Sequence, residues 1–247
     1  MLWRKEQHRK ELLHPRASRA SGRRLAEEAV LAESFGSLVF TPIVKELQER
    51  YGSRRQYERI TAKRAANEGL GPDERGFIGE RDSFYMASTG STGWPYIQHR
   101  GGPKGFLKVL DSNTIAFADY RGNKQYISTG NLLTNDRVSL ILVDYPRQAR
   151  LKILGHAKIT ERAEAREELL ELVRNQDEPG AVERVYTIKV EAFDWNCPQH
   201  ITPRFTVAEI REVLSSFEQR LEKLEAENAR LRAELGRGDV SKGKRSQ

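Results

Sequence analysis

Three periodicities divide the chain. Between residues 36 and 70, Leu38, Val39, Ile43, Val44 and Leu47 form an apolar stripe at helical spacing, and Gly69-Leu-Gly-Pro-Asp punctuates its end. From Ser83 to Asn196 the pattern becomes short apolar runs between turn residues. It predicts strands at 84–88, 95–99, 114–119, 138–144, 150–158 and 185–193. Gly90-Ser-Thr-Gly, Asp111-Ser-Asn and Tyr145-Pro-Arg-Gln mark the turns. Alternation sets Ile115, Phe117 and Asp119 on one face and Ala116, Ala118 and Tyr120 on the other. Helices are expected at 124–135 and 161–175, the latter carrying Leu169, Leu170, Leu172 and Val173. Six strands with few helices favour a small barrel closing on itself over a doubly wound sheet.

The third periodicity is a heptad. Val207, Leu214, Leu221, Asn228 and Leu235 are seven apart, as are Ile210, Phe217, Leu224 and Leu231. These are the a and d positions of a coiled coil over about four heptads, with charged residues at most flanking positions. Asn228 at an a position favours a two-stranded parallel register. The expected organisation is a basic arm and helical extension (1–70), a barrel domain (71–206), a coiled-coil helix (207–236) and a disordered tail (237–247).

Charge changes the picture only a little. The formal net charge is +7, but much of the excess lies before Arg24 and after Arg237, where charged tails are commonly solvated. A basic-zipper reader of DNA needs a continuous basic helix ahead of the heptads. Here Pro198-Gln-His-Ile-Thr-Pro-Arg-Phe-Thr carries two prolines, so nucleic acid is not the expected partner. No apolar run reaches the roughly 20 residues of a membrane span, and the charged N-terminus has no apolar core behind it. A cytoplasmic protein is expected. Cys197 is the single cysteine; with His200 it falls short of the four ligands of a zinc site, and no metal is expected. P-loop and dinucleotide fingerprints are absent.

The candidate chemistry is anion binding. On the strand at 95–99 and its end, Tyr96, Gln98 and Arg100 share a face, with His99 between them. Arg150 and Lys152 share another. Asn123, Lys124 and Gln125 open the helix at 124–135, where free N–H groups and the dipole favour an anion. Ser128, Gly130 and Asn131 bring further donors. Together these side chains suit one phosphate-sized anion, for which an arginine fork is well matched.

Four stretches resemble the split barrels of the pyridoxamine 5'-phosphate oxidase-like family. They are Phe77-Ile-Gly-Glu-Arg-Asp-Ser-Phe-Tyr-Met-Ala-Ser, Gly93-Trp-Pro-Tyr-Ile-Gln-His-Arg-Gly-Gly, Phe117-Ala-Asp-Tyr-Arg-Gly-Asn-Lys-Gln-Tyr and Leu151-Lys-Ile-Leu-Gly-His-Ala. The resemblance implies a mainly β (α+β) fold, a six-stranded Greek-key split barrel with N-terminal helices and a C-terminal coiled-coil helix added. It implies a homodimer with FMN at the interface, touched by both subunits. Carried over, Gln98, His99 and Arg100 line the flavin and its phosphate, and Asp119 and Tyr120 approach the ribityl chain. Asn123 and Lys124 fall at the phosphate, with Asn123 in place of the usual arginine; Gln125 and Ser128 adjoin them. Arg150 falls at a flavin-contacting position, with Lys152 beside it, and Trp195 reaches toward the partner's flavin.

The function so implied is an FMN-binding flavoprotein, a flavin-dependent oxidoreductase of unknown substrate taking electrons from a small molecule or nicotinamide. The alternative is a non-catalytic flavin carrier or sensor that signals through its coiled coil. A deazaflavin or haem in place of FMN stays open. No catalytic side chain is assigned. Pyridoxamine phosphate oxidation itself is not expected, because the late region with Trp195, His200 and Arg204 does not reproduce the family's second phosphate grip.

Overall fold

The computed structural model describes residues 34–63, 69–175, 180–196 and 198–242; the expected basic arm and the last five residues lie outside them. Three short helices come first: α1 (Phe35–Val39), α2 (Pro42–Arg50) and α3 (Arg54–Lys63). Pro42 starts α2 at a position where no N–H is needed, and Thr41 caps it by accepting from the Val44 N–H at 3.4 Å. The expected helical stretch is thus broken into three pieces. α4 (Pro72–Gly79) repeats the device with Pro72, and Glu74 accepts from the Gly71 N–H at 3.1 Å.

Seven strands then form one antiparallel sheet: β1 (Ser83–Thr89), β2 (Pro95–Gly101), β3 (Lys108–Val109), β4 (Thr114–Tyr120), β5 (Arg137–Asp144), β6 (Ala149–Glu161) and β7 (Val182–Asn196). Their order is β2-β1-β5-β6-β7-β4-β3. The β1–β2 and β3–β4 hairpins therefore flank a central β5–β6–β7 meander, as a split barrel requires. Two expectations are corrected. The described residues hold a seventh strand, the two-residue β3, whose brevity hid its alternation. The sheet also stays open rather than closing, since β2 and β3 end the order unpaired with each other.

Between the strands lie α5 (Ile127–Thr134) and α6 (Glu167–Val173). The interior is filled from the inward faces of β1, β4, β5, β6 and β7: Phe84 and Met86, Ile115 and Phe117, Leu140 and Leu142, Leu151 and Ile153, Tyr186 and Ile188. A second cluster, with Ala116, Val182 and Val185 under Leu170 and Val173 of α6, buries the other face of β4 and β7. The ladder between β6 and β7 slips at Leu154/Gly155, a bulge that leaves Glu191 of β7 unpaired and bends β7. A methyl group on Gly155 would collide with the Lys189 carbonyl, so only glycine fits.

α7 (Val207–Lys242) follows the sheet. Thr206 and Glu209 form a capping box: Glu209 accepts from the Thr206 N–H at 2.7 Å, and the Thr206 hydroxyl accepts from the Glu209 N–H at 3.2 Å. The heptad stretch lies within this helix, which continues past Gly236 and Gly238 to Lys242.

Candidate functional site

A cleft of about 250 Å³ opens where the end of β4 and the start of β7 meet β2 and the loop into α5. β2 contributes Gln98 and Arg100, β4 contributes Asp119 and Tyr120, and the loop brings Asn123, Lys124 and Gln125; Ser128 comes from the first turn of α5. These eight of the expected site residues converge. Strand alternation explains the choice on β2, where Tyr96, Gln98 and Arg100 are half-buried and His99 is exposed.

At the floor of the cleft Asp119 joins two arginines. Nη1 of Arg100 donates to one carboxylate oxygen at 2.7 Å and Nη1 of Arg184 to the other at 3.0 Å. Arg184 also donates through Nε to Glu161 at 2.9 Å and stacks on Tyr126, 4.8 Å from its ring centre. Burial works against its charge, but the hydrogen bonds to Asp119 and Glu161 outweigh it and hold the guanidinium pKa above its ordinary value. Arg100 lies over Tyr186, 5.1 Å from the ring centre, and its Nε is buried with no hydrogen-bond partner among the described residues. Burial raises the pKa of the Tyr186 hydroxyl, which shares a 2.8 Å hydrogen bond with Thr129.

The rim is polar and lightly tied. The Ser128 hydroxyl donates to Gln98 at 2.6 Å, the Asn123 side chain accepts from the Gln125 N–H at 3.1 Å, and the Tyr120 hydroxyl accepts from the Asn175 N–H at 2.8 Å. The loop reaches α5 through left-handed residues, Lys124 at φ 59° and Tyr126 at φ 52°. This corrects the expected helix start: residues 123–125 form a turn, and α5 begins at Ile127. No side chain caps α5, whose first residues, Ile127, Ser128 and Thr129, line the cleft. The lining holds three cations (Arg100, Lys124, Arg184) against two carboxylates (Asp119, Glu183), an excess of positive charge. No histidine or cysteine lines it, and the described residues hold no cluster able to ligate a metal ion.

Four expected residues lie elsewhere in the chain. His99 points to the opposite face of β2, its ring 5.4 Å from that of Tyr85. Leu151 and Ile153 take the inward positions of β6, so Arg150 and Lys152 share the outer face, with Lys152 6.0 Å from the Phe35 ring centre of α1. Trp195 donates to Glu74 at 2.7 Å and packs edge-on against Phe77. Conversely, Arg184, Glu183, Tyr126 and Thr129 line the cleft without having been singled out. Arg184 had a signal: starting β7 at Val182 instead of 185 puts it directly opposite Asp119.

Residues 70–194, half of the chain, match the sequence profile of the family described as Pyridoxamine 5'-phosphate oxidase. No curated protein matches. Three solved structures illustrate the similarity. HupZ of Group A Streptococcus is 15% identical with a TM-score of 0.42, over 55% of this chain and 99% of its own. A Clostridium acetobutylicum protein related to general stress protein 26 of B. subtilis is 14% identical with a TM-score of 0.38, over 56% and 94%. HutZ, the heme storage protein from Vibrio cholerae, is 16% identical with a TM-score of 0.35, over 51% and 94%.

Proposed function

The chain belongs to the pyridoxamine 5'-phosphate oxidase family, and on that premise we propose that it binds FMN in this cleft as a flavin-dependent oxidoreductase. The observation that carries the reading is the convergence of three cations and an uncapped helix start on one cleft. A dianionic phosphate answers both. Lys124 and the first N–H groups of α5 would hold the phosphate, and Gln98, Asn123, Gln125 and Ser128 the ribityl hydroxyls. Tyr96 and Tyr126 would offer flat walls, and Asp119 would keep Arg100 and Arg184 aimed from behind. When bound, the flavin supplies hydride or electron acceptance at its N5 atom.

A homodimer is part of this reading. Arg150 and Lys152 stand on the outer sheet face with Tyr85, Ile97 and Ile141, an apolar surface that a second barrel would cover, delivering the basic pair to the neighbouring flavin. His99 lies on the same face. Trp195, bonded to Glu74, is a packing residue here. No described helix is long and apolar enough to cross a membrane, and a cytoplasmic location accompanies the reading.

One observation favours the second reading, a flavin carrier or sensor that signals through its coiled coil: α7 presents an exposed heptad stripe for a partner. Titrating the purified chain with FMN and then supplying NADH or NADPH separates the two. Saturable quenching of flavin fluorescence with nicotinamide oxidation above the free-flavin rate supports the oxidoreductase. Quenching without turnover supports the carrier, and no quenching removes both.

A further inference from the structure

We infer that α7 is one half of a parallel, in-register, two-stranded coiled coil whose other half is α7 of a second copy of this chain. The inference shares with the proposed function only the premise that two copies meet; it needs no flavin.

From Ile210 to Ala233 every residue of α7 is exposed. Its apolar stripe is therefore uncovered by the rest of the chain's described residues: Val207, Ile210, Leu214, Phe217, Leu221, Leu224 and Leu231 are each 46% exposed or more. A stripe of this kind, extending about 36 Å at 1.5 Å per residue, is the seam of a coiled coil and not the face of a helix lying on its own barrel.

The charges beside the seam select the occupant and its direction. With Val207 at a, the e positions are Arg211, Glu218, Glu225 and Arg232, and the g positions include Arg220 and Glu227. In a parallel pair each g residue meets the e residue five places later on the partner. Arg220 then faces the partner's Glu225, and Glu227 faces the partner's Arg232, each pair made twice by symmetry. Between them Asn228 meets the partner's Asn228, so the polar side chain in the seam has a hydrogen-bonding mate. Antiparallel pairing with a opposite d sets Asn228 against Ile210. It also brings Glu218 near the partner's Glu218 and Arg220 near the partner's Arg220, two like-charge contacts that offset its two Arg211–Glu225 pairs. The unsatisfied amide, with no net gain from charge, opposes that arrangement. The seam is thus complementary to itself in one direction.

The test uses the entire 247-residue chain carrying Cys197→Ser, with a single cysteine introduced by Val207→Cys or, separately, by Leu231→Cys, positions that face each other only in the antiparallel pairing. Both replacements lie on the exposed helix, away from the cleft, so bound flavin can be read independently in the same samples. Mild oxidation of each variant alone should give covalent dimers on a non-reducing gel. Cross-links that form only when the two variants are mixed would show an antiparallel pair and overturn the inference, as would no cross-link in any sample. A charge-reversed chain, Arg220→Glu with Glu227→Arg, should cross-link to itself roughly tenfold less. It should regain pairing with a chain carrying Glu225→Arg and Arg232→Glu. Equal self-pairing by the reversed chain would also contradict the inference.

Discussion

Asp119 and Arg184 face each other across the β4–β7 ladder at 3.0 Å, and the second oxygen of Asp119 binds Arg100 at 2.7 Å. One carboxylate thus fixes two guanidiniums, each with a side chain 15% exposed or less. Removing it leaves two buried cations short of a partner, a change that costs about 3 kcal/mol. Asp119→Ala should lower the unfolding free energy by that order in urea denaturation. Arg184→Lys should lose much of the same stability, because an ammonium cannot span Asp119 and Glu161 as the fork does.

Lys124 separates binding from folding. It is exposed, on a left-handed turn at the mouth of the cleft. Lys124→Gln should weaken FMN binding by about 1.5–3 kcal/mol, the range of a charge-assisted hydrogen bond, and leave the unfolding midpoint unchanged. Riboflavin, which lacks the phosphate, should bind the variant and the parent equally. Equal loss for both ligands would remove Lys124 from the phosphate.

The acid limb of stability should report Asp144. Its buried carboxylate accepts from Arg81 at 2.8 Å and from the Arg147 N–H at 3.0 Å. Burial raises its pKa, but the Arg147 N–H and the Arg81 charge act the other way and leave it below the ordinary value of 3.8. A carboxyl depressed in the folded state binds fewer protons there than in the unfolded chain. Its contribution is therefore fully present above about pH 4 and is lost as the pH falls through the depressed value. Asp144→Asn should be less stable at neutral pH and should flatten the dependence below pH 4. An unchanged acid limb would assign the effect elsewhere.

Gly155 tests the bulge. Gly155→Ala drives a methyl group into the Lys189 carbonyl, so either β6 or β7 must shift. The expected cost is about 1–3 kcal/mol, with the midpoint of thermal unfolding lowered accordingly. Gly130→Ala, on α5 with open space around it, is the control and should be neutral or slightly stabilising.

Much of this architecture was legible because alternation is strict on the strands that line the core. Ile115, Phe117 and Asp119 fall on one face as read, and that face leads from the core to the cleft. Arg150 and Lys152 were placed together correctly, yet spacing alone left their side open; Leu154 on the same outer face blurs the polar pattern. Arg184 escaped notice because β7 begins three residues before its apolar run becomes obvious. The start of α5 was misplaced because Lys124 and Tyr126 adopt left-handed backbone that neither residue type signals. The open sheet follows from hydrogen bonding between distant strands, which local patterns do not encode.

A cleft of this lining is expected to hold a phosphorylated flavin. The most direct measurement is the identity of the small molecule released when the purified chain is denatured, taken with the visible spectrum before release. Flavin absorption bands and release of FMN at about one molecule per chain are expected. A colourless chain that takes up no FMN on reconstitution, or one that releases haem or a deazaflavin instead, would contradict that expectation.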